Sequence, residues 1–185
     1  MRYTLIPQDP NAHLFGVRLE IGTPDPAGQR LSLPAWIPGS YMIRDFARHV
    51  VAVDAWSGQA PVHVEKLDKD TWRCEPCAGS LLVRWQVYAW DPCVRAAALD
   101  DTGGFCNASS VFLRALDVDD GPFEILIESP EAPVRGRWRV ATTMAADAVG
   151  SDGWGRYRAA DYEELIDHPI RFGAFTRFGF EVAGV

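Results

Sequence analysis

The 185-residue chain is short of almost every local pattern that carries chemistry. It has no His-Glu-x-x-His, which would place two imidazoles and a general base on one helical face. None of its four histidines, His13, His49, His63 and His168, has another at that spacing. Gly-x-Ser-x-Gly elbows, phosphate-cradling Gly-x-x-x-x-Gly-Lys loops and strand–Gly-x-Gly-x-x-Gly–helix units are also missing. No apolar run approaches the ~20 residues needed to cross a bilayer. The start, MRYTLIPQDP, lacks a charged-then-apolar signal pattern, so the sequence reads as cytoplasmic. Four cysteines are too few for a disulfide scaffold at this length. A net charge of −7 repels phosphate backbones and anionic lipid, which argues against nucleic acid and membrane as partners.

What is present is a period of two. Phe15, Val17, Leu19 and Ile21 alternate with Gly16, Arg18 and Glu20. Leu81, Val83, Trp85 and Val87 form one face, with Arg84 and Gln86 on the other. Phe123, Ile125 and Ile127 repeat the pattern. These are strands with one face on a core and one in water. Further strands are expected at 30–33, 50–56, 62–66, 71–74, 110–116, 137–142 and 172–182, all rich in residues that suit a pleated surface. Gly- and Pro-rich turns such as Pro38-Gly39, Ser57-Gly58 and Asp120-Gly121-Pro122 separate them. About ten short strands with such turns predict an all-β, mainly antiparallel, β-sandwich-like domain. Helix is confined to 160–167, with Asp161 as cap and Glu163 and Glu164 in the first turn, and to a turn within 42–49. No repeat or linker divides the chain, so residues 1–185 read as one domain.

Cys74-Glu75-Pro76-Cys77 is a Cys-x-x-Cys. Redox use wants it at a helix N-terminus, and zinc use wants a second close pair. It follows a strand and precedes Ala78-Gly79, which predicts a hairpin, and the spacing to Cys93 and Cys106 does not suit a zinc ribbon. Ordinary small residues remain the simplest reading. Seven tryptophans allow sugar stacking if two lie coplanar on the surface, or inter-sheet packing if they do not.

Two stretches fit neither period. In 36–50, aromatics Tyr41 and Phe46 mix with Arg44, Asp45 and Arg48. Gly39 is expected at φ > 0 in a tight turn. Arg44 either locks the loop through an ion pair with Asp45 or a distant carboxylate, or faces a partner or a cleft. In 98–109, Asp100, Asp101 and Asn107 cluster oxygen atoms without the alternation of a calcium loop. They are either capping turn residues or part of a shared cleft.

These stretches resemble the N-terminal domain of the glycyl aminopeptidase family. LPAWIPGSYMIRDFARHV at 33–50 is similar to that family's WxPGSY-x-x-RDFA signature. LDKDTW at 67–72, VYAWD at 87–91, VRAAALDDTGGFCNASSVFL at 94–113 and DYEELIDHPIRFGAF at 161–175 follow in the family's order. One departure is Cys106, where the family has an aromatic after Phe105. The resemblance implies a saddle-shaped, non-catalytic module. Its partner would be the catalytic domain of the same protein, thermolysin-like and zinc-bearing, with a PDZ domain beyond it. The activity implied is removal of N-terminal residues, Gly and Ala above all. The peptide N-terminus would then be an indirect partner. The catalytic and PDZ domains are expected outside this sequence, so no catalytic residue, metal ligand or cofactor is assigned here. The cleft-side candidates are Tyr41, Arg44, Asp45, Asp101 and Asn107. The alternatives are a free-standing carbohydrate-binding sandwich and a purely structural scaffold.

Overall fold

The alternation of apolar and polar residues is realised as one large sheet with a dry face and a wet one. The computed structural model describes every residue except Pro38, 131–133, Arg135, Phe180 and 183–185. In chain order the strands are β1 (Arg2–Asp9), β2 (Leu14–Ile21), β3 (Arg30–Ser32), β4 (Val50–Ser57), β5 (Ala60–Val62), β6 (Val64–Lys66), β7 (Thr71–Cys74) and β8 (Leu81–Tyr88). There follow β9 (Ala97–Asp100), β10 (Gly103–Asn107), β11 (Arg114–Ala115), β12 (Phe123–Ile127), β13 (Arg139–Thr142), β14 (Ala145–Val149), β15 (Gly155–Ala159) and β16 (Pro169–Gly173). Among the described residues one helix, α1 (Tyr162–Asp167), and two 3-10 turns, Phe46–His49 and Ala108–Ser110, accompany the strands.

Eight strands form an open sheet in the order β14-β15-β12-β1-β2-β8-β4-β5. All its pairs are antiparallel except β1 with β12. Two four-stranded antiparallel sheets, β13-β16-β10-β9 and β11-β3-β7-β6, share one core with it. Phe15 of the large sheet meets Phe172 of the first small one at 5.5 Å between ring centres. The domain is therefore all-β, mainly antiparallel, with no closed barrel, as the strand period predicts.

The chain changes sheets where the sequence gives no warning. The expected strand 62–66 is two strands broken at His63: β5 pairs with β4 in the large sheet, and β6 pairs with β7 in a small one. The His63 carbonyl accepts from the Glu75 amide instead of a ladder partner. The Cys-x-x-Cys does not lie on a hairpin, because β7 and β8 on either side of it belong to different sheets.

Three expected elements are corrected. Residues 110–116 form a 3-10 turn end and only the short β11. Their carbonyls are taken by side chains: Trp85 Nε1 donates to Val111 (2.8 Å), Tyr162 Oη to Phe112 (2.7 Å) and Tyr3 Oη to Leu113 (2.6 Å). Such bonds satisfy a buried backbone without a neighbouring strand. The stretch 98–109, read as irregular, is mostly the hairpin β9–β10. The strand expected at 172–182 begins earlier, at Pro169, and ends at Gly173 (φ 138°), opposite Gly103 and Arg139 where its antiparallel partners β10 and β13 begin. Phe180 and 183–185 lie outside the described residues. The α1 prediction matches the structure, with Asp161 Oδ1 accepting from the Glu164 amide at 2.8 Å.

Candidate functional site

The loop between β3 and β4 is folded back on itself by its own polar groups. The Arg44 amide donates to the Ala35 carbonyl at 2.7 Å, closing the loop at its base. Inside it, the Ser40 amide donates to the Ile37 carbonyl at 3.2 Å, and the Trp36 indole donates to the Ser40 carbonyl. Gly39 has φ 78°, the left-handed conformation expected of the turn. Arg44 Nε donates to the Ser40 hydroxyl at 3.2 Å. The anticipated Arg44–Asp45 ion pair does not form; Asp45 pairs instead with Lys69 at 2.7 Å. With its guanidinium turned to Ser40, Arg44 braces the loop from within. The tip it holds out is apolar: Tyr41 is fully exposed, and Met42 and Ile43 are each 63% exposed.

The second stretch ends against the first. The 3-10 turn Phe46–His49 touches the turn Ala108–Ser110. Asp45 precedes the one and Asn107 precedes the other. Asn107 Oδ1 accepts from the Ser109 amide (3.3 Å) and hydroxyl (2.6 Å), so the side chain is a cap. Phe46, Ala47, Ala108 and Ser109 are buried at this junction. Burial, and next the Arg48 guanidinium, hold His49 below the ordinary imidazole value, with Asp91 opposing. Arg48 Nε donates to His49 Nε2 at 3.1 Å, which a neutral ring accepts. The structure thus brings together the turns that Asp45 and Asn107 precede, with Arg44 and Tyr41 on the loop leading into the first.

Asp101 is elsewhere. It sits half-buried at the tip of the β9–β10 hairpin, and six residues of extended chain put it about 20 Å from Asn107. Its neighbour Asp100 is the working turn residue, with Oδ1 accepting from the Thr102 hydroxyl (2.6 Å) and the amides of Thr102 (2.8 Å) and Gly103 (3.1 Å). The Thr102 side-chain bond leads the group of hydrogen bonds that hold the Asp100 carboxyl below its usual range. Near this tip lies a cavity of about 290 Å³ lined by Trp90, Leu99, Asp100, Gly104 and Arg171. His13 stacks on Trp90 at 3.9 Å and bonds through Nδ1 to the Leu99 carbonyl at 2.6 Å. Sequence reasoning missed His13 and Arg171, because only strand pairing brings them to the hairpin. The signal that existed was Trp90 at the end of an alternating strand.

Among the described residues no three or more His, Cys, Asp or Glu side chains converge as a group able to hold a metal ion. All four cysteines are free, with Cys74 and Cys106 buried. Desolvation first, and Cys77 second, push the Cys74 thiol up to about 12, the opposite of an activated redox cysteine. Trp72, Trp85 and Trp138 are buried. Of the others, Trp36 donates to its own loop, Trp56 lies under Arg84, Trp90 is stacked on His13 and Trp154 on Phe172. Cys106, the departure from the resembled pattern, is fully buried in the core.

The structure is similar over its whole length to an aminopeptidase N family protein from Idiomarina loihiensis, with 38% identity and a TM-score of 0.94. This chain spans 31% of that protein's length. An M1 zinc metallopeptidase from Deinococcus radiodurans aligns with 94% of the chain and 41% of its own, at 12% identity and a TM-score of 0.45. No curated protein sequence matches. The family profile of the peptidase M61 N-terminal domain matches residues 2–174. With nearly every residue inside that match, and a fold shared at 38% identity, the chain belongs to the peptidase M61 N-terminal domain family.

Proposed function

We propose that this domain is the non-catalytic front module of a zinc-dependent aminopeptidase that removes Gly and Ala from peptide N-termini. It packs on the catalytic domain of the same protein and helps to shape the substrate cleft. Zinc belongs to that domain, a PDZ domain follows it, and the protein is cytoplasmic. The observation that carries this reading is the junction of the two 3-10 turns. It joins the turns that Asp45 and Asn107 precede, and the loop leading into it, braced by Arg44, holds out the apolar tip of Tyr41, Met42 and Ile43. A braced loop of this kind can convert remote binding energy into orientation at a reacting centre.

A scaffold reading has one observation in its favour: Asn107 and Asp45 are both engaged in local bonds. The two readings part in the full-length enzyme assayed on Gly- and Ala-anilides. Arg44→Ala raises KM with kcat retained if the loop lines the cleft. It lowers only thermal stability if the domain is a scaffold. Metal-dependent turnover by the purified 185-residue chain would sink both.

A further inference from the structure

The solvent face of the eight-stranded sheet is a field of paired charges with one exception. Arg2 sits against Glu20 and Glu124, Arg156 against Glu124 and Asp147, and Arg158 against Asp147. Arg18 and Arg84 lie on the same face, directly opposite each other across β2 and β8. Among the described residues neither has a carboxylate within 4.0 Å. Like charges directly opposite in a sheet repel. Asp54 is opposite Arg84 on the other side, yet Arg84 turns away from it and lies over Trp56, 3.7 Å from the ring centre. A guanidinium stacked that closely keeps its in-plane N–H donors for another acceptor.

The two arginines stand over a depression of about 380 Å³. The missing Cβ of Gly16 lets the Gln8 side chain lie across the floor, and Ala52 and Trp56 also line the depression. At one end Gln86 Nε2 donates to Gln8 Oε1 at 3.2 Å. Two cations and the single carboxylate of Asp54 leave the groove with one positive charge in surplus, on a chain of net charge −7. The volume is within the range of small-molecule sites. We propose that this groove binds a small oxyanion, a carboxylate or a phosphate-type group, held between the Arg18 and Arg84 guanidiniums. Arginine's fork of donors suits both, and the anion removes the repulsion between the two cations. This proposal is independent of the cleft reading, since the groove is on the sheet's outer face.

The test is an NMR titration of the full chain, reading the arginine Nε–Hε and indole signals. Inorganic phosphate and N-acetylglutamate are added in separate arms, with sodium chloride at matched ionic strength as the third. Saturable shifts at Arg18, Arg84 and Trp56 are expected with at least one oxyanion, and the tighter arm names its source. Arg18→Gln and Arg84→Gln should each weaken binding about tenfold, while Asp54→Asn should tighten it. All three side chains are exposed, so the variants keep the fold, which the amide spectrum verifies. Shifts that chloride reproduces, that never saturate, or that survive both arginine substitutions would overturn the proposal.

Discussion

Asp45 Oδ1 accepts a 2.7 Å hydrogen bond from Lys69 Nζ, tying the β3–β4 loop to the turn before β7. Asp45 also holds a left-handed backbone (φ 46°, ψ 49°), which most side chains resist and which Asp, Asn and Gly tolerate. The backbone is therefore the more demanding constraint. Asp45→Asn and Asp45→Gly should leave the urea midpoint nearly unchanged. Asp45→Val should destabilise by about 1–2 kcal/mol. Equal losses for Val and Asn would show that the ion pair, not the conformation, selects aspartate.

The three carbonyls of Val111, Phe112 and Leu113 are anchored by Trp85, Tyr162 and Tyr3, all in the dry core. Removing a hydroxyl leaves a buried acceptor unmet. Tyr3→Phe and Tyr162→Phe should each cost about 1–3 kcal/mol in chemical denaturation.

The same tyrosines set an alkaline limit. Burial raises both phenols well above their usual value. A raised folded pKa means that their contribution is complete below about pH 10 and is lost as pH rises beyond it. The wild-type urea midpoint should fall between pH 10 and 11. In the double variant Tyr3→Phe/Tyr162→Phe that fall should be shallower.

Residues 110–116 also show why part of the fold was hidden in the sequence. Val111, Phe112 and Leu113 are as apolar as any strand. What denies them a ladder is the arrival of three donors from positions 3, 85 and 162. Long-range partners of that kind leave no local signature. In the large sheet β2, β8 and β12 were legible because one face is wet, which forces alternation on them, whereas β1, β14 and β15 of the same sheet were not expected. β9 and β10, carrying Ala, Gly and a turn of two aspartates, have no such contrast and read as loop. The loop tip at 41–43 was legible as odd, but its brace was not, since Arg44 pairs with a serine hydroxyl and, among the described residues, with no carboxylate.

Asp100 sets the corresponding acid window. Its folded carboxyl is depressed, chiefly by the Thr102 hydroxyl and then by turn amides, with burial opposing. A depressed pKa contributes stability above the unfolded value, about 3.9, and loses it as pH falls through the folded value. Asp100→Asn keeps an acceptor but not the charge. The gap between wild type and Asp100→Asn in urea midpoint should be widest at neutral pH and close as pH falls below about 4.

Thiol labelling gives a check on the cysteines. Cys77 and Cys93 are half-buried, whereas Cys74 and Cys106 are inside the core and their thiols are pushed up by desolvation. At pH 8 a maleimide should modify Cys77 and Cys93 first, and reach Cys74 and Cys106 only in denaturant. Rapid native labelling of Cys74 would refute the buried, inert assignment.

The parallel pairing of β1 with β12 has a consequence in time as well as space. Arg2 stands opposite Glu124, and Leu5 opposite Ile127. On a ribosome the strands β1, β2, β8, β4 and β5 are complete once residue 88 has emerged, but β1 then presents an open edge until residue 127 follows. Contacts of such sequence separation form slowly, and an unpaired apolar edge is where a growing chain meets its neighbours. The seam at the sheet's own first strand stays open until residue 127, and only then can β15 and β14 add beyond β12, so synthesis past residue 88 decides whether the sheet completes itself or captures a strand from another copy.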